Sequence, residues 1–246
     1  MKRKKTIRAG RLCLAAVYSV PAVNDQPHVR AAKMRCSSAA RQRMNDKRAA
    51  RRLELLLAAN FAPGDLFVTL TYDDAHLPAD RAASGRRIKK FLRQLRAVRK
   101  ARGERTLYLY VTEGAHGDGR LHHHLVLNAV GRDLEELQSL WVDGTVEMDV
   151  LGPVSEFAAL AEYLTKEPRD GLRSARGARC WTPSLGLARP QGENVPVDDD
   201  LTLSAPPGAV VLDSDSMRNE WGEYAFIKYI LPEPPRARRT LTRKRK

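Results

Sequence analysis

The stretch GRLHHHLVLN, residues 119 to 128, sets three histidines at the head of an apolar run. Successive side chains of a β-strand face opposite sides, so His122 and His124 share a face and His123 points away. Two imidazoles at that spacing can chelate one divalent ion, which then calls for a third, anionic ligand. Glu113 suits that role. It ends the strand-like run TLYLYVTE, and the turn-rich GAHGDGR folds that end back beside His122. His123 is expected to pack beneath a helix, and His76 and His116 are isolated loop histidines expected in solvent.

Two histidines and a carboxylate serve several chemistries, including non-haem Fe(II) oxygenases and Zn²⁺ hydrolases. Those settings usually bring a jelly roll or an H-E-x-x-H helix, and the sequence shows neither. Phosphodiester chemistry fits the basic character of the chain better, with the ion as a Lewis acid on the phosphate. A nucleophile is then needed, and AEYLTKEP offers Tyr163 with Lys166 at i+3 on the same side of a helix. At ~100° per residue Tyr163 stands roughly 110° from the centre of that helix's apolar stripe, so it is not an ordinary core aromatic. A phenol with pKa about 10 stays neutral at pH 7 and gains from a nearby cation, which Lys166 can supply.

The elements that must position these residues follow from periodicity. A basic amphipathic helix is expected over residues 38 to 60, a strand over LFVTLTY from Leu66 to Tyr72, and a second amphipathic helix with Ile88, Phe91, Leu92, Leu95 and Val98 on one stripe. Strands TLYLYVTE and LHHHLVLN form a hairpin. A short helix capped by Asp133, a fourth strand GTVEMDVL and a helix SEFAALAEYLTKE come next. The order β-α-β-β-α-β is that of an α+β, ferredoxin-like split βαβ fold. It puts the histidine strand centrally in an antiparallel sheet, both helices on one face and the other face free for a site. The sequence divides into a basic N-terminal extension with a helix (1–60), a catalytic core (61–168) and a loop-rich C-terminal extension with a basic tail (169–246). WGEYAFIKYIL reads equally as strand or helix.

The 43 Lys and Arg residues against 29 Asp and Glu give +14. Residues 1 to 60 carry +12 and residues 236 to 246 carry +7, so the middle is net −5. Two basic flanks suit a polyanion, because each phosphate contact releases counterions. The three cysteines, Cys13, Cys36 and Cys180, form no C-x-x-C pair, which argues against a disulfide framework or a cysteine zinc site and fits a reducing, cytoplasmic setting. No run approaches the roughly 20 apolar residues of a membrane span. MKRKK followed by LCLAAVYSVPAV imitates a signal peptide loosely, but Arg8 and Arg11 interrupt it.

These residues together resemble the HUH endonucleases, in particular the rolling-circle replication initiators of plasmids, phages and integrated elements. FVTLTYDD is similar to the first motif of that family, GRLHHHLVL to the His-hydrophobic-His metal motif, EYLTKE to the nucleophile motif, and VTEGAHGDGR to the segment carrying a carboxylate ligand. The likeness extends through LAANFAPGDLFVTLTY, RCWTPSLGLARP and YAFIKYIL, over about residues 40 to 230. The resemblance implies Mg²⁺ or Mn²⁺ at His122, His124 and Glu113, and a Tyr163 that attacks a phosphodiester of single-stranded DNA or an origin hairpin. It implies a 5′-phosphotyrosyl link and a free 3′-hydroxyl, with Lys166 in the place of the motif's following lysine. Arg120, Arg51 and Arg52 are the expected DNA contacts, and a host helicase and polymerase the expected further partners of a monomer or weak dimer. His123 departs from the motif's plain hydrophobic position, and a single tyrosine suggests a one-tyrosine mechanism or a dimer, with Tyr224 and Tyr229 as distant alternatives. A transposase or relaxase of the same chemistry, or a non-catalytic DNA-binding replication factor, is the alternative reading.

Overall fold

A computed structural model describes residues 1–20, 39–114, 120–166, 181–219 and 222–233. The chain is α+β, with two antiparallel five-stranded sheets. It divides into two units, one of Met1–Ile7, Arg11–Ala22 and Gly192–Lys246, the other of Arg8–Gly10 and Val23–Gln191. No helix among the described residues is long and apolar enough to cross a membrane.

The larger unit holds the helix α1 (Ala39–Asn60), β3 (Leu66–Thr71), α2 (Arg81–Ala101), β4 (Tyr108–Glu113), β5 (His122–Leu127), α3 (Asp133–Leu140), β6 (Val146–Val150), α4 (Phe157–Leu164) and the two-residue β7 (Thr182–Pro183); β1 (Lys2–Ala9) and β2 (Leu12–Ser19) precede them in the chain. From β3 to β6 the elements run β-α-β-β-α-β, as expected, and the sheet order is β6-β3-β5-β4-β7 with β5 at its centre. Strict alternation builds β3. Leu66, Val68 and Leu70 point into a core with Ile88, Phe91, Leu92 and Leu95 of α2 and Leu137 of α3, while Phe67, Thr69 and Thr71 take the other face. Asp80 starts α2 by accepting the Ala83 amide at 2.6 Å.

Three details differ from the sequence reading. The second sheet face is not left free: Leu109, Val111 and Val126 on it are buried, and α4 brings Tyr163 against Phe67 and His124, with α1 packed on α4. An apolar second face must be covered. Asp133 does not cap α3; its carboxylate accepts the Val130 and Gly131 amides and pairs with the fully buried Arg99 at 2.6 Å, which also reaches Glu136 at 3.0 Å. Val98, expected on the apolar stripe of α2, is exposed, and Arg99 is the buried residue of that last turn.

The smaller unit was not legible as a sheet. Here β1 and β2 join β8 (Gly192–Val197), β9 (Val210–Asn219) and β10 (Gly222–Ile230) in the order β8-β1-β2-β10-β9. The segment that reads as strand or helix is β10, paired along β2 so that Tyr224 faces Tyr18. Strand β1 is hidden in sequence by its charge: KRKKTIRA looks like a basic tail, yet Lys2 meets Glu223 at 2.6 Å.

His123 sits wholly buried on the α2 side of β5, as expected, with Tyr72 Oη and Ser84 Oγ at 2.7 and 3.1 Å from Nε2 and Thr112 Oγ1 at 2.9 Å from Nδ1. Burial, then the neighbouring His122, pushes its pKa down to about 3. An unfolded histidine titrates near 6.5, so the unfolded chain binds a proton between pH ~6.5 and ~3 that the native chain refuses. Stability attributable to His123 is therefore complete above pH ~6.5 and is lost as pH falls, by up to several kcal/mol. Thermal melts of the parent and His123→Gln at pH 7 and pH 4.5 check this: the melting temperature of the parent should fall more than that of the variant. Equal falls would contradict it.

Candidate active site

The pairing of β5 with its neighbours builds the site. Glu113 on β4 stands opposite His122, Val111 opposite His124, and on the other side Thr71 and Thr69 of β3 stand opposite His122 and His124. Directly opposed residues share a face, so Glu113, His122 and His124 converge on the side of the sheet that α4 crosses. Gly114 lets the chain leave β4 tightly: its φ is +84°, and a Cβ there would collide with the carbonyl of Arg120.

That carbonyl has a second role. The His122 Nδ1 lies 2.8 Å from the Arg120 oxygen, which can only accept, so Nδ1 carries the proton and Nε2 of the neutral ring keeps its lone pair. The His124 Nδ1 is 3.1 Å from Thr69 Oγ1, and its ring stacks on Phe67 with centroids 5.2 Å apart. Both Nε2 atoms face Glu113, at 3.7 Å for His122 and 3.6 Å for His124. These separations exceed a good N–H···O hydrogen bond of about 2.7–3.2 Å. The ligand atoms of the three residues lie within 4.8 Å of one another, and the other carboxylate oxygen, Glu113 Oε1, is buried with no hydrogen-bond partner among the described residues. An orphaned buried carboxylate oxygen beside two imidazole lone pairs is a donor set that fits a divalent cation.

Burial opposes ionisation of Glu113, but the His122 and His124 imidazoles, and after them Lys166, outweigh it and hold the carboxyl far below the usual carboxylate range. The Lys166 ammonium sits 3.2 Å from Glu113 Oε2 and 3.6 Å from the centroid of the Tyr163 ring. Lys166 is past the end of α4, which stops at Leu164, where Thr165 turns its hydroxyl back to the Ala161 carbonyl at 2.8 Å. The helix is thus shorter than expected, yet the Lys166 amide still reaches the Tyr163 carbonyl at 3.2 Å and keeps the two side chains together. The Tyr163 ring is partly exposed, and its hydroxyl lies 2.9 Å from His124 Nε2.

Glu113, His122, His124, Tyr163 and Lys166 therefore form one cluster. Arg120 lies beside it but is engaged, with Asp74 at 2.6 Å and the Tyr72 carbonyl at 3.0 Å. Arg51 and Arg52 are exposed on α1, and only Arg52 lines a groove there. Tyr224 and Tyr229 belong to β10 in the other unit. His76 is less free than expected: it pairs with Asp73 at 2.7 Å and lowers that carboxyl's pKa. His116 lies outside the described residues. Sequence reasoning missed Thr69 and Phe67, although alternation in LFVTLTY already places them on the face of His124.

The lone pair of His124 Nε2 that receives the Tyr163 hydroxyl is the same one a cation would take, so the two exclude each other. Tyr163→Phe removes the competitor and should tighten Mn²⁺ binding by about 2- to 10-fold, the worth of one net hydrogen bond. Calorimetric titration of the parent and the variant measures this; unchanged or weaker binding would show that the hydroxyl does not occupy the ligand position.

No curated protein matches the chain, and no solved structure does. Residues 65–168, which span β3 to just beyond α4 and contain the whole cluster, match the family model of the replication-associated protein ORF2.

Proposed function

We propose that the chain is an HUH-type endonuclease that nicks and rejoins single-stranded DNA to initiate rolling-circle replication. The observation that carries this reading is the Tyr163 hydroxyl held 2.9 Å from an imidazole of the His122, His124 and Glu113 cluster. A phenol at a metal-ligand set, with an ammonium on its ring, is poised for nucleophilic attack rather than for packing. The match to a replication-associated family over the same residues supports the biological setting.

Glu113, His122 and His124 would hold the ion, and a Mg²⁺ or Mn²⁺ there supplies Lewis-acid polarisation of the scissile phosphate. Two imidazole ligands suit Mn²⁺ better than Mg²⁺. Tyr163 Oη forms a bond to phosphorus as the bond from phosphorus to O3′ breaks. The phenol loses its proton and the departing O3′ gains one, leaving a 5′-phosphotyrosine and a 3′-hydroxyl from which a polymerase can extend. Lys166 favours the phenolate as that proton leaves. The reverse attack, by a 3′-hydroxyl on the phosphotyrosine, rejoins the strand.

The test is a denaturing gel of the full chain incubated with Mn²⁺ and labelled single strands from its own flanking DNA. The parent should form a covalent protein–DNA band, Tyr163→Phe none, and Lys166→Met one that appears about 100-fold more slowly, the usual loss for one electrostatic stabiliser. An undiminished band with Tyr163→Phe would sink the nucleophile assignment. No band with the parent on any fragment would favour a DNA-binding factor without catalysis.

A further inference from the structure

One face of α1 carries Asn45, Arg48, Ala49 and Arg52, spaced i, i+3, i+4, i+7, and with Trp181 they line a groove of about 310 Å³. That volume is at the lower end of small-ligand sites, about 300–1,000 Å³. Ala49 forms a low floor, so the indole and the two guanidinium groups stand as its walls. Both arginines are exposed, and neither has an ion-pair partner among the described residues. Arg99, Arg102 and Arg120, by contrast, are each held by carboxylates.

The groove belongs to the same unit as the cluster, and two connections tie it there. Trp181 immediately precedes β7, in which Thr182 pairs with Tyr110 and Pro183 with Leu109, so the antiparallel register carries Trp181 toward Val111. Val111 is two residues from Glu113, roughly 7 Å along a strand. On the other side α1 packs on α4, the helix of Tyr163. Asn60 at the end of α1 exchanges hydrogen bonds with the backbone of Ala188, 2.8 Å to its carbonyl and 2.6 Å from its amide, and so fixes the segment after β7 to the helix.

We propose that this groove is a nucleotide subsite for the single strand that the cluster cuts. One unstacked base lies on the Trp181 indole, Asn45 meets its edge, and Arg48 and Arg52 take the flanking phosphates. The proposal rests on the nicking reading for its ligand, but it is tested by binding alone. An indole is a stacking platform for any base, and a guanidinium pair along a helix tracks a phosphate backbone. A base inside a duplex is not available to the indole, so the site selects single strands.

The experiment measures affinity of the full chain, in a Tyr163→Phe background so that no adduct forms, for a labelled oligothymidylate over a range of salt. Trp181→Ala should weaken binding about 5- to 100-fold, the usual loss for one stacked base, with an unchanged salt slope. Trp181→Phe should recover most of it. Arg48→Ala and Arg52→Ala should each lower the slope of log K against log salt by about 0.7, one phosphate contact apiece. A blunt duplex should be indifferent to Trp181. Circular dichroism identifies any variant that fails to fold, and the exposed arginine variants carry the test if Trp181→Ala does. Affinity and salt slope unchanged in the variants, or no single-strand binding by the parent, would overturn the subsite. Covalent adduct formation by wild-type Tyr163 with an unaltered groove phenotype would overturn the subsite alone and leave the nicking reading standing.

Discussion

The whole arrangement depends on the register of β5 between β4 and β3. Because side chains alternate with a period of two, one setting of that register sends His122 and His124 to one face and His123 to the other, and a slip of one residue would exchange them. Both faces oppose the slip. His123 is held by hydroxyls of Tyr72, Ser84 and Thr112 in a site from which water is excluded, and either neighbour brought there would have to find the same three partners. On the other face the pair gains the Arg120 carbonyl, Thr69 and the carboxylate of Glu113. The third histidine is what locks the other two.

The two faces also separate two physical tasks. Toward α2 and α3 lies an apolar core whose few charges are paired, above all Arg99 between Asp133 and Glu136. Removing one partner of such a buried set typically costs about 3–5 kcal/mol, because the other charges stay buried. Toward α4 lies a polar cluster with an unsatisfied carboxylate oxygen, a partly exposed phenol and an ammonium. Unsatisfied polar atoms are costly in a fold and are kept where something binds. The stable face sets the register, and the costly face uses it.

What the sequence made legible follows from how local the signal is. The stripe of α2, the alternation of β3, the hairpin of β4 and β5, and the helical spacing of Tyr163 and Lys166 all lie within a few residues of chain, and each is present at its expected place. What stayed hidden needed partners far away. KRKKTIRA and VVLDSDSMRN have little strand character alone and are strands because β8, β2 and β10 pair with them. Asp133 reads as a cap until Arg99, 34 residues earlier, draws its carboxylate inward. Trp181 and the Arg48–Arg52 stripe lie on separate elements, and no spacing rule joins them.

The central claim is that His122 and His124, and not His123, face a common ion. Electron spin-echo modulation of Mn²⁺ bound to the protein counts the coordinated imidazole nitrogens directly. The parent and His123→Gln should each show two, and His122→Gln and His124→Gln one each. A nitrogen lost on replacing His123, or two retained on replacing either neighbour, would contradict the account.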